Sequence, residues 1–241
     1  LLKGEKLPPG EFGVMHGYMK IPELKKVCHA YGVSINEYLV AVYIWSVYTE
    51  CMHGMPSERP VRVAVPVNLR PYFNSITTKN FFVMVSAEFH PTKEIYTFEE
   101  VLKSVSGSLR SQINRENLEK LFSYNVSNEK LLAARIVPLF LKNLAMRYVY
   151  TTSALANTAT VTNIGNISVS EEYRPYVEMF HAFLAMSKGQ HLKGTICSYG
   201  DTLVFSFSYD LADTSVQRGF FRKIAADGIA VEIETNGVNY E

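Results

Sequence analysis

Val61-Arg62-Val63-Ala64-Val65-Pro66-Val67-Asn68-Leu69-Arg70-Pro71-Tyr72-Phe73 is the stretch that decides the fold. Valines recur at every second position from 61 to 67, the period at which successive side chains alternate between the two faces of a strand. Pro66 has no N–H to give to a ladder, which places it near an edge or a strand end. The strand closes on Asn68-Leu69-Arg70, and the chain turns at Pro71.

The surroundings read as helices and strands in mixed order. Upstream, residues 1–15 hold Gly4, Pro8, Pro9, Gly10 and Gly13 and read as a linker or arm. His16 to Ile21 reads as a short strand and Glu23 to Ala30 as a short helix, with Pro22 in its first turn. Ser34-Ile35-Asn36-Glu37 has capping-box spacing, and the helix it opens, to about Met52, is apolar nearly all round, as a buried helix is.

Downstream, Phe81 to Phe89 is rich in strand formers. Thr97-Phe98-Glu99-Glu100 is a second capping box. It opens a helix with Phe98, Val101, Leu102, Val105, Leu109 and Ile113 on one face. Leu131 to Tyr148 reads as helix with a kink near Pro138. Strands are expected at Thr158–Ile164, Glu178–Ser187, Leu192–Tyr199 and Thr202–Tyr209, with a hairpin turn at Tyr199-Gly200-Asp201. In the last strand Leu203, Phe205, Phe207 and Tyr209 face one way, and Thr202, Val204, Ser206 and Ser208 the other. Thr214-Ser215-Val216-Gln217 caps a final helix to about Ala226, and Ile229, Val231 and Ile233 form a closing strand. The expectation is one α/β domain over residues 16–241, a mixed sheet with helices packed on it.

Composition narrows the function. The chain has 241 residues, 47% of them hydrophobic, enough for one large domain with its own core. A net charge of +1 supplies no field for nucleic acid or an anionic membrane. The apolar runs Tyr38–Trp45 and Ile136–Leu144 fall well short of the roughly 20 residues of a membrane span. Cys28, Cys51 and Cys197 lie far apart, without disulfide or metal spacing, which points to a reducing, cytoplasmic compartment.

Common catalytic signatures are absent. There is no G-x-S-x-G, no Walker loop, no H-E-x-x-H and no G-x-G-x-x-G after a strand. The six histidines, at 16, 29, 53, 90, 181 and 191, have no neighbour at metal-ligand spacing. His16 and His181 each fall in an expected strand. Either is a general base in principle, and the plainer reading is a strand histidine satisfied by a neighbour or by solvent. Cys28 and Cys51 read as core or surface thiols.

Four short motifs, in order, carry a resemblance: Gly32-Val33-Ser34-Ile35-Asn36-Glu37-Tyr38-Leu39, Asn68-Leu69-Arg70, Thr162-Asn163-Ile164-Gly165 and Phe207-Ser208-Tyr209-Asp210. Over about residues 16–235 the chain resembles the C-terminal region of the superfamily of chloramphenicol acetyltransferase, peptide-synthetase condensation domains and alcohol acetyltransferases. It looks most like bacterial alcohol acetyltransferase-like proteins. The resemblance implies one lobe of a two-lobed fold with a tunnel between lobes for a thioester donor such as acyl-CoA and an alcohol or amine acceptor. The family's catalytic base sits in an H-H-x-x-x-D-G motif of the N-terminal lobe, and this sequence contains no such motif. The expectation is therefore no catalytic residue in this chain, an N-terminal lobe as its missing partner, a tendency to self-associate, no metal and no bound cofactor.

The resemblance also assigns supporting roles. Arg70 matches the family arginine that pairs with the motif aspartate, and Asn68 holds the same turn. Thr162, Asn163 and Gly165 match a Ser/Thr-Asn-x-Gly turn that borders the tunnel. Against these stand a strand-end arginine that merely caps carbonyls and an ordinary β-turn. Two other readings stay open: a non-catalytic binding module with the same lobe fold, and an independent enzyme using His16 or His181.

Overall fold

The computed structural model describes residues 2–130, 137–187 and 189–237. Seven strands form a single mixed sheet. They are β1 (Gly13–Lys20), β2 (Val61–Asn68), β3 (Phe82–Phe89), β4 (Ala159–Asn166), β5 (Leu192–Tyr199), β6 (Thr202–Tyr209) and β7 (Glu232–Thr235), in the order β3-β2-β4-β5-β6-β1-β7. β4 runs parallel to both β2 and β5, and the remaining neighbours pair antiparallel. β1 takes in Gly13, three residues before the expected start.

Helices α1 (Ile21–Tyr31), α2 (Ile35–Ser46), α4 (Phe98–Gln112) and α7 (Ser215–Ala226) cover one face of the sheet, and short α3 (Arg70–Phe73) follows β2 directly. α2 is the centre of the core, with Tyr38 through Ile44 fully buried between the sheet, α4 and α7. Its start follows from the sequence: the Glu37 N–H donates to Ser34 Oγ (3.2 Å) and the Ser34 N–H donates to Glu37 Oε2 (2.7 Å). Arg110 of α4 then clamps the same carboxylate, Nε to Oε1 at 2.6 Å and Nη2 to Oε2 at 3.2 Å. Burial alone raises the Glu37 carboxyl, but the Arg110 guanidinium and the Ser34 donors outweigh it and hold the group below its usual range.

Pro66 lies in an interior strand, yet it fits there. β2 pairs with β4 only at Val63 and Ala64, so beyond Ala64 the strand has β3 alone and the missing donor is tolerated. The β5–β6 turn is as expected: Tyr199 pairs with Thr202, and Gly200 takes φ +60° between them.

Four expectations need correction. The closing strand β7 begins only at Glu232, so Ile229 and Val231 precede it. Glu178–Ser187 is not a strand. Both ladders of β5, the strand this apolar segment leads into, are filled by β4 and β6, so it has no place beside it in the sheet. It lies instead across the second face of the sheet as a strap, its carbonyls taking bonds from side chains below: Cys197 Sγ to Phe180 O (3.2 Å), Ser208 Oγ to Leu184 O (2.6 Å) and Lys193 Nζ to Ala185 O (2.7 Å). The last helix is capped by Asp213 rather than Thr214, because Asp213 Oδ1 accepts from the Ser215 N–H (2.9 Å) while the Thr214 side chain makes no cap bond. Of the helix expected over 131–148, residues 131–136 lie outside the described residues. From Pro138 onward the chain is helix α6 (Leu139–Leu155), the proline standing just before its first turn. α5 (Arg115–Lys130) precedes it.

Candidate functional site

Arg70 stands where β2 ends. Its guanidinium works within its own loop: Nε donates to Thr77 O (2.9 Å), Nη2 to Lys79 O (2.7 Å) and Nη1 to Asn68 Oδ1 (3.2 Å). Asn68 Oδ1 also accepts the Arg70 N–H (3.1 Å), so one side-chain oxygen ties strand end, helix start and guanidinium together. Leu69 between them is fully buried in a small second core with Val83 and Leu118. No carboxylate pairs with Arg70 among the described residues.

Thr162, Asn163 and Gly165 lie within β4. They form a bulge rather than the expected turn: pairing with β5 shifts by a residue between Asn163 and Gly165. Gly165 takes φ +87°, a conformation other side chains resist, and its N–H donates to Asn163 Oδ1 (2.8 Å). Asn163 Nδ2 also reaches Asn36 Oδ1 at the start of α2 (3.4 Å). Both sets thus stand at the C-terminal ends of parallel neighbours β2 and β4. The strands part beyond Ala64, and no hydrogen bond joins the sets.

A third group appears on the strap-covered face. Register aligns one row of residues across five strands: Thr162 of β4, Thr195 of β5, Ser206 of β6, His16 of β1 and Glu234 of β7. His16 Nδ1 lies 2.7 Å from Ser206 Oγ, and Thr195 Oγ1 is buried without a partner among the described residues. The strap brings His181 over this row, 4.6 Å from His16 between ring centroids. Tyr18 has one hydroxyl proton and two close partners, Glu234 Oε2 and His181 Nε2 (2.8 Å). A carboxylate only accepts, so the proton goes to Glu234 and His181 donates from Nε2.

The electrostatics favour the neutral forms of His16 and Tyr18. Burial, then the neighbouring His181, lower the His16 pKa, with Glu234 pulling the other way. Burial and the bond to Glu234 raise the Tyr18 hydroxyl, so it stays protonated. Neutral His16 is a base by character, but the hydroxyl it holds, Ser206, is wholly buried and unavailable as a nucleophile. A cleft of about 680 Å³ opens beside Tyr18 and His181, lined also by Lys20, Glu178, Glu232 and Glu234.

Sequence spacing had no means of joining His16 to His181, which are far apart in the chain. The signal that was present is the alternation of β6: its Thr202, Val204, Ser206, Ser208 side faces the strap and is as buried as the aromatic side. Cys28 and Cys197 are buried and Cys51 is exposed; burial raises all three thiols, Cys28 to about 12 and Cys51 to about 11, so none is activated as a thiolate. Among the described residues no cluster suits a metal ion, and no helix is long and apolar enough to cross a membrane.

No family model matches the sequence, and no curated protein matches it either. Solved structures do. A nonribosomal peptide synthetase matches with TM-score 0.60 at 17% identity, over 95% of this chain and 23% of its own. The trichothecene 15-O-acetyltransferase TRI3 from Fusarium sporotrichioides matches with TM-score 0.59 at 13% identity, over 94% of this chain and 48% of its own. The wax ester synthase/diacylglycerol acyltransferase from Marinobacter aquaeolei VT8 matches with TM-score 0.50 at 16% identity, over 93% of this chain and 51% of its own. At such identities the likeness carries the fold alone: the chain has a mixed α/β fold similar to a part of each of these proteins. It spans about half or less of the solved chains it matches.

Proposed function

We propose that this chain is one lobe of a two-lobed acyltransferase that moves an acyl group from a thioester, such as acyl-CoA, to an alcohol or amine. The observation that carries the reading is the fold: over nine-tenths of the chain superposes on parts of enzymes whose names include an acetyltransferase and an acyltransferase. The catalytic histidine is then contributed by a second lobe, as the missing H-H-x-x-x-D-G implies. The exposed apolar surface of α6 supports a partner: Leu139, Phe140, Leu144, Met146, Tyr148 and Tyr150 all face solvent. The finer assignment, an alcohol acetyltransferase-like protein of the cytoplasm, rests on the sequence motifs and the scattered thiols.

In this reading the Asn68–Arg70 corner and the Thr162–Gly165 bulge border the tunnel. Arg70 positions the base-bearing loop rather than touching substrate. The test joins the chain to an upstream lobe carrying H-H-x-x-x-D-G and measures thiol release from acetyl-CoA with a panel of alcohols and amines. Arg70→Ala is expected to lower kcat sharply, and Arg70→Lys to restore part of it, since an ammonium lacks the bidentate fork. Full activity in Arg70→Ala would refute the assigned role.

A second reading has one observation in its favour, the His16–His181 pair over a cleft. It makes the chain an enzyme by itself. The burial of Ser206, the hydroxyl that His16 holds, weighs against it.

A further inference from the structure

Lys193 sits in the sheet where a lysine is costly. Only 9% of it is exposed, and among the described residues its ammonium has one hydrogen-bond partner, the carbonyl of Ala185 at 2.7 Å, and no carboxylate. Buried cations are otherwise almost always paired. Burial accordingly lowers its pKa, with no neighbouring charge to oppose the shift.

The amine is not sealed in. It lines a second cleft of about 680 Å³, on the same sheet face as the His181 cleft but on the β2–β3 side of the strap. Polar groups gather around it there: Thr160, its register partner on β4, and Gln190, whose Oε1 accepts from Thr160 Oγ1 at 2.9 Å. The opposite wall is apolar and aromatic, with Phe82 of β3, Tyr124 of α5 and Tyr150 of α6. Lys193 is the only charged side chain among the described residues that line it. A cleft of this volume, mostly apolar, with a few polar groups at one end, is the usual form of a small-molecule site.

We propose that this cleft binds a small carboxylate with an aromatic or aliphatic body, its carboxylate on Lys193 and its body against Phe82, Tyr124 and Tyr150. A single lysine is a point charge that one monoanionic group can balance. A dianionic phosphate calls for a second cation, and Lys193 is the one charged side chain among the described residues that line the cleft. The site lies wholly within this lobe and does not depend on acyl transfer.

The test is calorimetric titration of the 241-residue chain with two probes of one shape, 4-phenylbutyrate and the neutral 4-phenyl-1-butanol. The chain is expected to bind the carboxylate at least about tenfold more tightly than the alcohol, a difference of one charge-assisted contact. Lys193→Met should abolish that preference while alcohol binding persists, and Phe82→Ala should weaken both ligands together. Circular dichroism establishes that each variant is folded, and Lys193→Gln replaces Lys193→Met if the latter is not. Equal affinity of the unaltered chain for the two probes, no binding of either, or a carboxylate preference that survives loss of the lysine would overturn the proposal.

Discussion

The two faces of the sheet are made from alternate residues of the same strands, one covered by helices and the other crossed by the strap, and they are built in opposite ways. Under the helices, β6 presents Leu203, Phe205, Phe207 and Tyr209, and of these Phe205 and Phe207 meet Tyr43, Phe220 and Phe221 ring against ring. Under the strap the same strand presents Ser206 and Ser208, beside Thr195, Lys193 and His16. The first face is close-packed hydrocarbon, where every removed methylene is felt. The second is a field of hydroxyls, an amine and imidazoles, one hydroxyl without a partner among the described residues, beneath a segment held by bonds from side chain to carbonyl. A fold does not need such a face for stability, since buried polar groups contribute little net even when satisfied. The difference locates stability under the helices and leaves the buried polar groups under the strap.

Substitutions can break this division. Phe220→Ala removes a fully buried ring at the centre of the aromatic cluster and should cost about 3–5 kcal/mol in urea unfolding. A loss below about 1 kcal/mol would mean that the helix face is not the stability-bearing one.

The Glu37–Arg110 clamp, also on the helix side, gives a smaller and pH-dependent effect. Glu37→Gln should cost about 1–2 kcal/mol near pH 7, a charge-assisted bond discounted for the exposed guanidinium. The folded-state pKa of Glu37 is lowered, so its contribution is fully present above the unfolded carboxyl value of about 4.3. It is lost as pH falls through the folded value. Thermal melts from pH 6 to pH 3 should therefore show a steeper acid loss for the unaltered chain than for Glu37→Gln, and parallel curves would contradict the clamp.

On the strap face the effects shrink and can change sign. Ser206→Ala deletes the partner of His16 Nδ1 and should cost about 1 kcal/mol. Thr195→Val removes a hydroxyl that has no partner among the described residues and should be neutral or slightly stabilising in the same urea experiment. A large loss there would show that this hydroxyl has a structural role.

How much of this was legible beforehand depends on the range of the cause. Alternation at Val61–Val67 and the boxes at Ser34–Glu37 and Thr97–Glu100 are local, and each formed as read. The Glu178–Ser187 segment carries a local strand signal too, but whether it becomes a strand depends on a free place beside β5, which only the strand order decides. The Thr162–Gly165 motif was visible as an Asn/Gly irregularity, and whether it became a turn or a bulge was set by its partner β5. The His16–His181 pair and the Lys193 cleft arise from register and from the strap's path. Lys193 appeared in sequence as an unremarked residue of an expected strand, and nothing local marks it as buried.

The proposed acyltransferase role is tested most directly by thiol release from acetyl-CoA, with alcohol and amine acceptors, using residues 1–241 alone and joined to a lobe bearing H-H-x-x-x-D-G. Positioned base catalysis contributes roughly 10²–10⁴-fold, and the second wall of a tunnel adds positioning on top of it. The joined protein should release thiol well above background, and the single lobe should not. Turnover by residues 1–241 alone, abolished by His16→Ala or His181→Ala, would contradict the two-lobe proposal and make the strap-covered face an active site in its own right.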